Sequence, residues 1–369
     1  MHDFICIVYM KKRFFLIFCI SFFILNNKSF TQSDFLFDGF EDDLRGENSL
    51  RIVFYNLENF FDTRNDSITS DDEFSSFGLK HWGREKYERK LANTYKTIAA
   101  VGGWEPPDII CLCEVENRFV LSDIIFGTPL RKFKYKYIHY DSPDPRGIDV
   151  ALIYRTDKFK PLFSYPIQIK YPFDTNSRTR DILYVSGLLP NKDILHLFVN
   201  HFPSKYGGAN ITIPKRNFVA GVLKTYVDSL FLKNADSKVL IMGDFNDEPY
   251  DESMLKYLNA RCDSTNLKPA DLLNLMCNLK NIEKIGSNKF RDTWSMIDQI
   301  IVSKSLINNN SDWNVKNSRA YIFKAPFLLQ TDDTFMGVKT FRTYNGFKYT
   351  GGFSDHLPVY IDLIKNKLQ

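Results

Sequence analysis

Polar residues that can bind metal ions or transfer protons follow several short apolar segments of this sequence. Asn56 and Glu58 come where the segment LRIVFYN ends, and Glu114 ends the segment DIICLCE. The same arrangement recurs downstream at Asn200 and His201, at Asp244 and Asn246, at Asp298, and at Asp355 and His356. Ionised side chains beside apolar strands cost several kcal/mol unless they are paired or bound to a metal. We therefore expect these residues to serve one shared site.

Short segments rich in β-branched and aromatic residues predict the strands that position these side chains. They span residues 50–56, 108–114, 147–155, 181–189, 194–201, 238–244, 296–303 and 357–364. Helical spacing of apolar residues predicts helices over 84–101 and 215–232. Several strand segments are apolar on both faces, which is typical of sheets buried between helices and another sheet. Segments 62–83 and 304–350 have weak periodicity, and we expect long loops or excursions from the core there.

The N-terminus has the pattern of a secretory signal. From Met10, the expected start, two lysines and an arginine precede an apolar stretch of about a dozen residues, and polar residues follow. A spanning helix needs about 20 apolar residues, and Asn26 arrives too early for that. We expect a signal peptide over 1–32, a linker over 33–48 and one domain over 49–369, in an exported protein without a stable membrane anchor. The alternative is a buried N-terminal helix.

Export changes how the charge is interpreted. The whole chain carries a formal net charge of +4, and removing residues 1–32 takes away four cationic residues and one acid, which leaves +1. The mildly basic composition is therefore no evidence for an anionic partner.

Four of the cysteines lie beyond the predicted signal peptide. Cys111 and Cys113 alternate along an apolar segment and are expected in the core. Cys262 and Cys277 could form a disulfide in an oxidising compartment. No C-x-x-C spacing occurs in the sequence, so a structural zinc site is not expected.

The polar residues form an ordered set of motifs: N-x-E, a strand-ending E, N-H-x-P, G-D-x-N, I-D-Q-I and S-D-H-x-P. In this order and combination the set resembles the endonuclease/exonuclease/phosphatase superfamily, over about residues 50–364. The resemblance implies an α/β fold, a four-layer α/β sandwich of two packed mixed β-sheets flanked by helices, with the site at one edge. One residue departs from the family pattern, because Cys113 stands where Gln is common before the metal-binding glutamate.

The resemblance also implies roles for the acids and histidines. Glu58 and Glu114 would hold a divalent cation, Mg²⁺ or also Mn²⁺, and Asp355 would complete or adjoin that site. His356 would face the phosphate, with Asp298 bound to its other ring nitrogen. Asp244 would orient or deprotonate the attacking water, although His356 also fits the general base.

Further residues are candidates for contacts with substrate. Asn200 and Asn246 would donate hydrogen bonds to phosphate oxygens, and His201 would do the same or act as a second acid. Asn56 is a further candidate for binding substrate. Arg146 could clamp a phosphate or pair with Asp144 in its turn, and Arg180 could contact substrate or lie at a solvated strand entry.

Three functions remain open on this evidence. The first is an exported, metal-dependent phosphodiester hydrolase, monomeric, acting as a nuclease on DNA or RNA. The second is a sphingomyelinase-like or inositol-phosphate-type phosphoesterase; the former would need an exposed aromatic hairpin, for which only 321–329 is a candidate. The third is a non-catalytic binding protein on the same fold, which predicts lost acids or histidines, and none is missing.

Overall fold

The computed structural model describes residues 48–66, 68–307 and 311–366. The predicted signal peptide and the predicted linker, apart from Asn48, lie outside the described residues. Among the helices that are described, none has both the length and the apolar character that crossing a membrane requires.

Strands dominate the described residues. In chain order they are β1 (Ser49–Phe60), β2 (Ile109–Val115), β3 (Tyr135–His139), β4 (Asp149–Arg155), β5 (Lys160–Ile167), β6 (Ile182–Leu188), β7 (Ile194–His201), β8 (Lys238–Asp244), β9 (Ala260–Arg261), β10 (Leu272–Asn274), β11 (Asn288–Phe290), β12 (Thr293–Ser295), β13 (Asp298–Ser303), β14 (Trp313–Val315), β15 (Tyr321–Ile322), β16 (Leu329–Thr331), β17 (Val338–Thr340), β18 (Tyr344–Asn345), β19 (Lys348–Tyr349) and β20 (Val359–Lys365). The α-helices are α1 (Arg84–Gly102), α2 (Arg118–Phe126), α3 (Ala209–Lys233) and α4 (Leu279–Glu283).

Most of the long strands form two mixed sheets. The first sheet has the order β14-β20-β1-β2-β4-β3, and β15 also pairs with β20. The second has the order β5-β6-β7-β8-β13-β10-β9. Within them β1 and β2 are parallel, as are β7 and β8, while β20 and β13 run antiparallel to their neighbours. The predicted pair of mixed sheets is confirmed.

The layers follow from the alternation of side chains along each strand. In β2, Ile110 and Leu112 pack in one core with residues of α1 and α2, whereas Cys111 and Cys113 point to the opposite face and are equally buried. The second sheet repeats this arrangement, with one face in a core shared with α3. The remaining faces meet where β1 and β2 contact β7 and β8. The order is therefore helix, sheet, sheet, helix, as predicted.

Strand register in the second sheet places three predicted site residues in one row. His201 at the end of β7 lies beside Asp244 at the end of β8, and Asp244 lies opposite Asp298 at the start of β13. Gly243 permits the close approach of β7 and β8, because a Cβ there would lie 2.5 Å from the Asn200 carbonyl oxygen. The polar ends of these strands therefore meet at one edge of the sheet.

The prediction of long loops or excursions from the core over 304–350 is wrong in part. This segment contains β14 and β15, which extend the first sheet, and two small hairpins, β16–β17 and β18–β19. Strands of two or three residues are too short to show an alternating pattern in sequence. Within 321–329, Phe323, Ala325 and Leu328 are buried, so the candidate aromatic hairpin is not an exposed one.

The described cysteines form one disulfide and one pair of buried free thiols, in line with the sequence analysis. Cys262 and Cys277 form a disulfide, with their Cα atoms 5.5 Å apart. Cys111 and Cys113 are free and buried. Burial raises the pKa of both thiols, which suits core residues rather than reactive ones.

Candidate active site

Two bulges direct the first pair of carboxylates. The pairing of β1 with β2 shifts register after Asn56, and that of β2 with β4 shifts after Cys113. At these irregularities Glu58 and Glu114 adopt φ of 53° and 57°, a conformation that is uncommon outside glycine. A bulge turns a side chain away from the regular alternation. The sequence therefore uses two strained positions to bring acids to the edge between the sheets.

Asn56 connects the acids of both sheets. Its Nδ2 donates to Asp244 Oδ2 at 3.0 Å and to Glu114 Oε1 at 3.3 Å, and its Oδ1 accepts from the Glu58 backbone N–H at 2.9 Å. The side chain is fully buried. With both contacts made to carboxylates, Asn56 positions these acids, and its predicted contact with substrate stays a prediction.

Asp244 lies at the centre of the row. Its Oδ1 accepts the backbone N–H of Asn246 at 2.9 Å, and its Oδ2 lies 3.8 Å from Nε2 of both His201 and His356. Burial, opposed by His356 and reinforced by Asp298, raises the pKa of Asp244 to about 7. A carboxylate with such a pKa can take up a proton near neutrality. Asn246 has φ of 51° and donates from Nδ2 to the Phe202 carbonyl at 3.0 Å.

Asp298 and Ser354 hold the His356 side chain and backbone in place. Its Nδ1 lies 2.7 Å from Asp298 Oδ2, and its backbone N–H donates to Ser354 Oγ at 3.1 Å. Burial works to lower the pKa of His356, but Asp298, Asp244 and Asp355 together raise it well above its usual value. This shift favours the charged imidazole at neutral pH, and the predicted role of His356 in facing the phosphate stays a prediction.

The pKa of His201 is shifted in the opposite direction from the pKa of His356. Burial, with Arg180, Arg146 and His356 nearby, lowers its pKa well below the usual value. Its Nε2 lies 3.7 Å from Glu114 Oε1, and its Nδ1 has no hydrogen-bond partner among the described residues. A neutral imidazole binds metals and donates hydrogen bonds, but it is a poor proton donor in this form. The alternative of a second acid at His201 is therefore not supported.

Glu114, His201 and Asp244 each offer a ligand atom within 4.8 Å of the other two. Two carboxylates and a neutral imidazole can hold a divalent cation, and the choice of Mg²⁺ or Mn²⁺ stays a prediction. A second such group, Asp244, Asp298 and His356, shares Asp244, but the charged His356 makes it a poor ligand set.

The predicted ligands Glu58 and Asp355 lie in a different arrangement. Arg342 Nε donates to Glu58 Oε1 at 3.1 Å, and Arg342 Nη2 donates to Asp355 Oδ2 at 2.9 Å. The two carboxylates thus share a guanidinium. Sequence reasoning missed Arg342, since a lone arginine in a segment without periodicity carries no signal.

Two predicted contacts with substrate are not supported by this geometry. Arg180 is buried, with Nη1 on Asp144 Oδ2 at 2.9 Å and Nη2 on the Phe202 carbonyl at 2.6 Å. Asn200 donates from Nδ2 to the carbonyls of Phe198 and Met242. The amide of Asn200 and both terminal nitrogens of Arg180 therefore donate within the protein, while the buried Arg180 Nε has no hydrogen-bond partner among the described residues. Arg146 Nε lies 3.5 Å from Asp144 Oδ1, which is the pairing within the turn that the sequence left open. Its side chain is nevertheless 44% exposed and can reach a ligand.

Comparison with known families identifies the chain. The model of the Endonuclease/Exonuclease/phosphatase family matches residues 51–365. The chain belongs to this family. The match spans both sheets and every residue of the site. No curated protein matches the sequence of this family member.

Solved structures share the fold at low identity. The human Nocturnin catalytic domain with bound sulfate anion has a TM-score of 0.52 and 18% identity, covering 88% of this chain and 96% of its own. TDP2 of D. rerio complexed with single strand DNA product has 0.52 and 14%, covering 87% and 100%. The mannosyl-6-phosphatase of Bacteroides thetaiotaomicron has 0.51 and 17%, covering 85% and 99%. This similarity shows the family fold in the chain.

Proposed function

We propose that this chain is a divalent-metal-dependent phosphodiester hydrolase that cuts nucleic acid. The observation that carries the proposal is the cluster that His201 and His356 form around Asp244, with the Nε2 of each histidine 3.8 Å from Asp244 Oδ2. It combines a neutral imidazole, a carboxylate with a pKa of about 7 and a charged imidazole at one edge of the sandwich. Members of the family act as hydrolases on phosphoester bonds, and this combination supports the same chemistry here.

The residues of this cluster and their neighbours have different roles in hydrolysis. Asp244, oriented by Asn56 and by the Asn246 backbone N–H, accepts a proton from the attacking water. The charged His356 stabilises the negative charge that develops on the phosphate oxygens, and Asp298 keeps it charged and oriented. A cation bound at Glu114, His201 and Asp244 would neutralise phosphate charge and lower the pKa of a bound water.

Two basic pockets whose linings include residues that contact the site support a polyanionic substrate. One, of about 460 Å³, lies among the hairpins β11–β12, β16–β17 and β18–β19; we call it the hairpin pocket, and its cations are Lys289, Arg291, Lys339, Arg342 and Lys348. The other, of about 610 Å³, we call the arginine pocket, and its cations are Arg146, Arg178, Arg180 and Lys215. Each contains more cations than acids. The chain is near neutral overall, so this concentration at the site is informative.

The two pockets are connected through the site by contacts. Arg342 of the hairpin pocket binds Glu58 and Asp355. Arg180 of the arginine pocket binds the Phe202 carbonyl, which also accepts from Asn246. Because Arg180 is buried, the cations that a nucleic acid strand could meet are the exposed Arg146 of the arginine pocket and the exposed Lys348 of the hairpin pocket.

A small phosphoester is the second candidate. The hairpin pocket also offers Gln330, Asp333 and Asn345, which could recognise the hydroxyl groups of an inositol or sugar phosphate. One structural neighbour is a mannosyl-6-phosphatase, so this class deserves a direct comparison. The buried segment 321–329 weighs against a sphingomyelinase-like membrane contact.

We also propose that the protein is exported and that it is a monomer. The charged and apolar pattern after Met10 supports a signal peptide, and the Cys262–Cys277 disulfide supports an oxidising compartment. Extracellular nucleic acid would then be the partner. Secretion can be checked by locating the protein in culture medium, periplasm and cytoplasm of its host.

The test is a panel of substrates with the purified chain and Mg²⁺: plasmid, single-stranded DNA, RNA, sphingomyelin, inositol phosphates and mannose 6-phosphate. We expect cleavage of nucleic acid. Lys348→Ala should raise KM for DNA and reduce its salt dependence, whereas the exposed Lys256→Ala should not. Turnover of small phosphates alone would contradict the nuclease and support the second candidate.

A further inference from the structure

Arg342 occupies the position between two predicted metal ligands. Its Nε and Nη2 reach Glu58 Oε1 and Asp355 Oδ2, so one guanidinium spans both carboxylates. The planar fork of arginine suits such a bridge better than a lysine ammonium does. The arginine is 39% exposed, whereas the side chain of Glu58 is only 5% exposed.

Glu58 is held from the backbone as well. Its Oε2 accepts the Thr343 N–H at 2.6 Å, and its Oε1 also accepts the Tyr344 N–H at 3.5 Å. These donors belong to the residues that directly follow Arg342. One short segment therefore fixes both oxygens of Glu58 and supplies the cation.

A second cation, Lys90, lies close enough to Glu58 and Asp355 to interact with them electrostatically. Lys90 is almost fully buried in α1, and its Nζ donates to Thr343 Oγ1 at 2.6 Å and to the Phe353 carbonyl at 2.5 Å. The two carboxylates thus contact one cation, Arg342, and interact electrostatically with a second, Lys90, which leaves little negative charge for a divalent ion between them.

We propose that the Arg342 guanidinium is a built-in cation that excludes a second divalent metal from Glu58 and Asp355, so that the site binds a single metal ion at Glu114, His201 and Asp244. The inference rests on the proposed metal dependence, but it concerns occupancy rather than turnover. Glu58 then supports the arginine, and Arg342 remains at the floor of the hairpin pocket as a positioning residue.

The test counts Mn²⁺ ions bound per protein, by electron paramagnetic resonance of free Mn²⁺ together with calorimetry. We expect one ion for the wild type. Arg342→Gln should gain a second ion, because two carboxylates lose their shared cation, and adding Glu58→Gln to that variant should remove it again. Arg342→Lys, which keeps the charge, should still bind one.

Arg261→Gln is the matched control. Arg261 is the last residue of β9, its side chain is 34% exposed, and its Nη1 lies 2.9 Å from Asp271 Oδ2, away from the site. This variant should still bind one ion. Two ions in the wild type, or one in a folded Arg342→Gln, would overturn the inference, and the wild-type count needs no variant to fold. No bound ion in the wild type would contradict the proposed metal dependence and the inference with it.

Discussion

His356 Nδ1 lies 2.7 Å from Asp298 Oδ2. His356 comes from the segment just before β20, and Asp298 is the first residue of β13. Asp298 is fully buried, and its Oδ1 has no hydrogen-bond partner among the described residues. The acid therefore makes its side-chain contact with the histidine rather than with the backbone of 351–353. A buried carboxylate paired in this way favours the charged imidazole.

Asp298→Asn should keep the shape of the site and weaken its charge. Because Asp298 helps to raise the pKa of His356, its loss should lower that pKa. We expect a large loss of kcat and an alkaline limb of the pH–rate profile that moves to lower pH. The measurement is kcat from pH 5 to 10 with the melting temperature at each pH.

Asp362→Asn is the control for this variant, because Asp362 pairs with Arg51 in a buried bridge outside the site. It should lower the melting temperature and leave the profile in place. If Asp298→Asn behaves like Asp362→Asn, then Asp298 is a structural acid.

Asp244→Asn should remove the proposed general base. Loss of a positioned base costs about 10²–10⁴-fold in rate. Asp244 is also a candidate metal ligand, and a bound cation would lower its pKa from the metal-free value of about 7. In the wild type, activity should therefore rise with pH at or below about 7 as Asp244 ionises, and the variant should lose this limb. Single-turnover rates from pH 5 to 9 check both points. An unchanged acidic limb in the variant would assign the base elsewhere.

Glu116→Gln should stabilise the protein at alkaline pH. Burial raises the pKa of Glu116 to about 8, so the folded state holds this proton more tightly than the unfolded state does. Its contribution to stability is complete below about pH 4.3 and is lost as pH rises through about 8. The variant cannot ionise, and its advantage in urea unfolding should grow over this window, to several kcal/mol at about 1.4 kcal/mol per pKa unit.

Asp62 donates its backbone N–H to Glu116 Oε2, a bond that a glutamine oxygen can also accept. Glu88→Gln, on the exposed face of α1, is the control and should show no such growth. A constant difference between Glu116→Gln and the wild type from pH 5 to 8 would show that Glu116 is ionised when folded.

The Cys262–Cys277 disulfide should contribute to stability. It joins residues 15 apart, and a loop of this size corresponds to about 3 kcal/mol in the chain-entropy model. Reductant should lower the urea midpoint of the wild type accordingly. The Cys262→Ser/Cys277→Ser double variant should start at the lower midpoint and not respond to reductant, and equal responses of both proteins would contradict the assignment.

The acids and histidines of the site could be predicted because strand ends are visible in the sequence. Asp244 and His201 follow apolar segments, and parallel strands bring their ends to one edge. The electrostatic contrast between His201 and His356 could not be predicted, since it depends on which buried charges lie nearby after folding.

Arg342 and Asn200 show where the sequence carries too little information. Arg342 lies between short hairpins, and its contact with Glu58 joins residues 284 apart in the chain. Asn200 lies near the end of β7 as Asp244 lies at the end of β8, but its Nδ2 donates to two carbonyls within the sheet. Nothing in the local pattern separates these outcomes.

Metal dependence of DNA cleavage tests the account most directly. Plasmid nicking by the purified chain would be measured with Mg²⁺, with Mn²⁺, in EDTA and after excess Mg²⁺ is returned, with Glu114→Gln alongside. Since Glu114, His201 and Asp244 form the candidate cation site, we expect cleavage with either metal, none in EDTA, recovery on return of Mg²⁺, and little cleavage by the variant. Full turnover in EDTA would contradict the account.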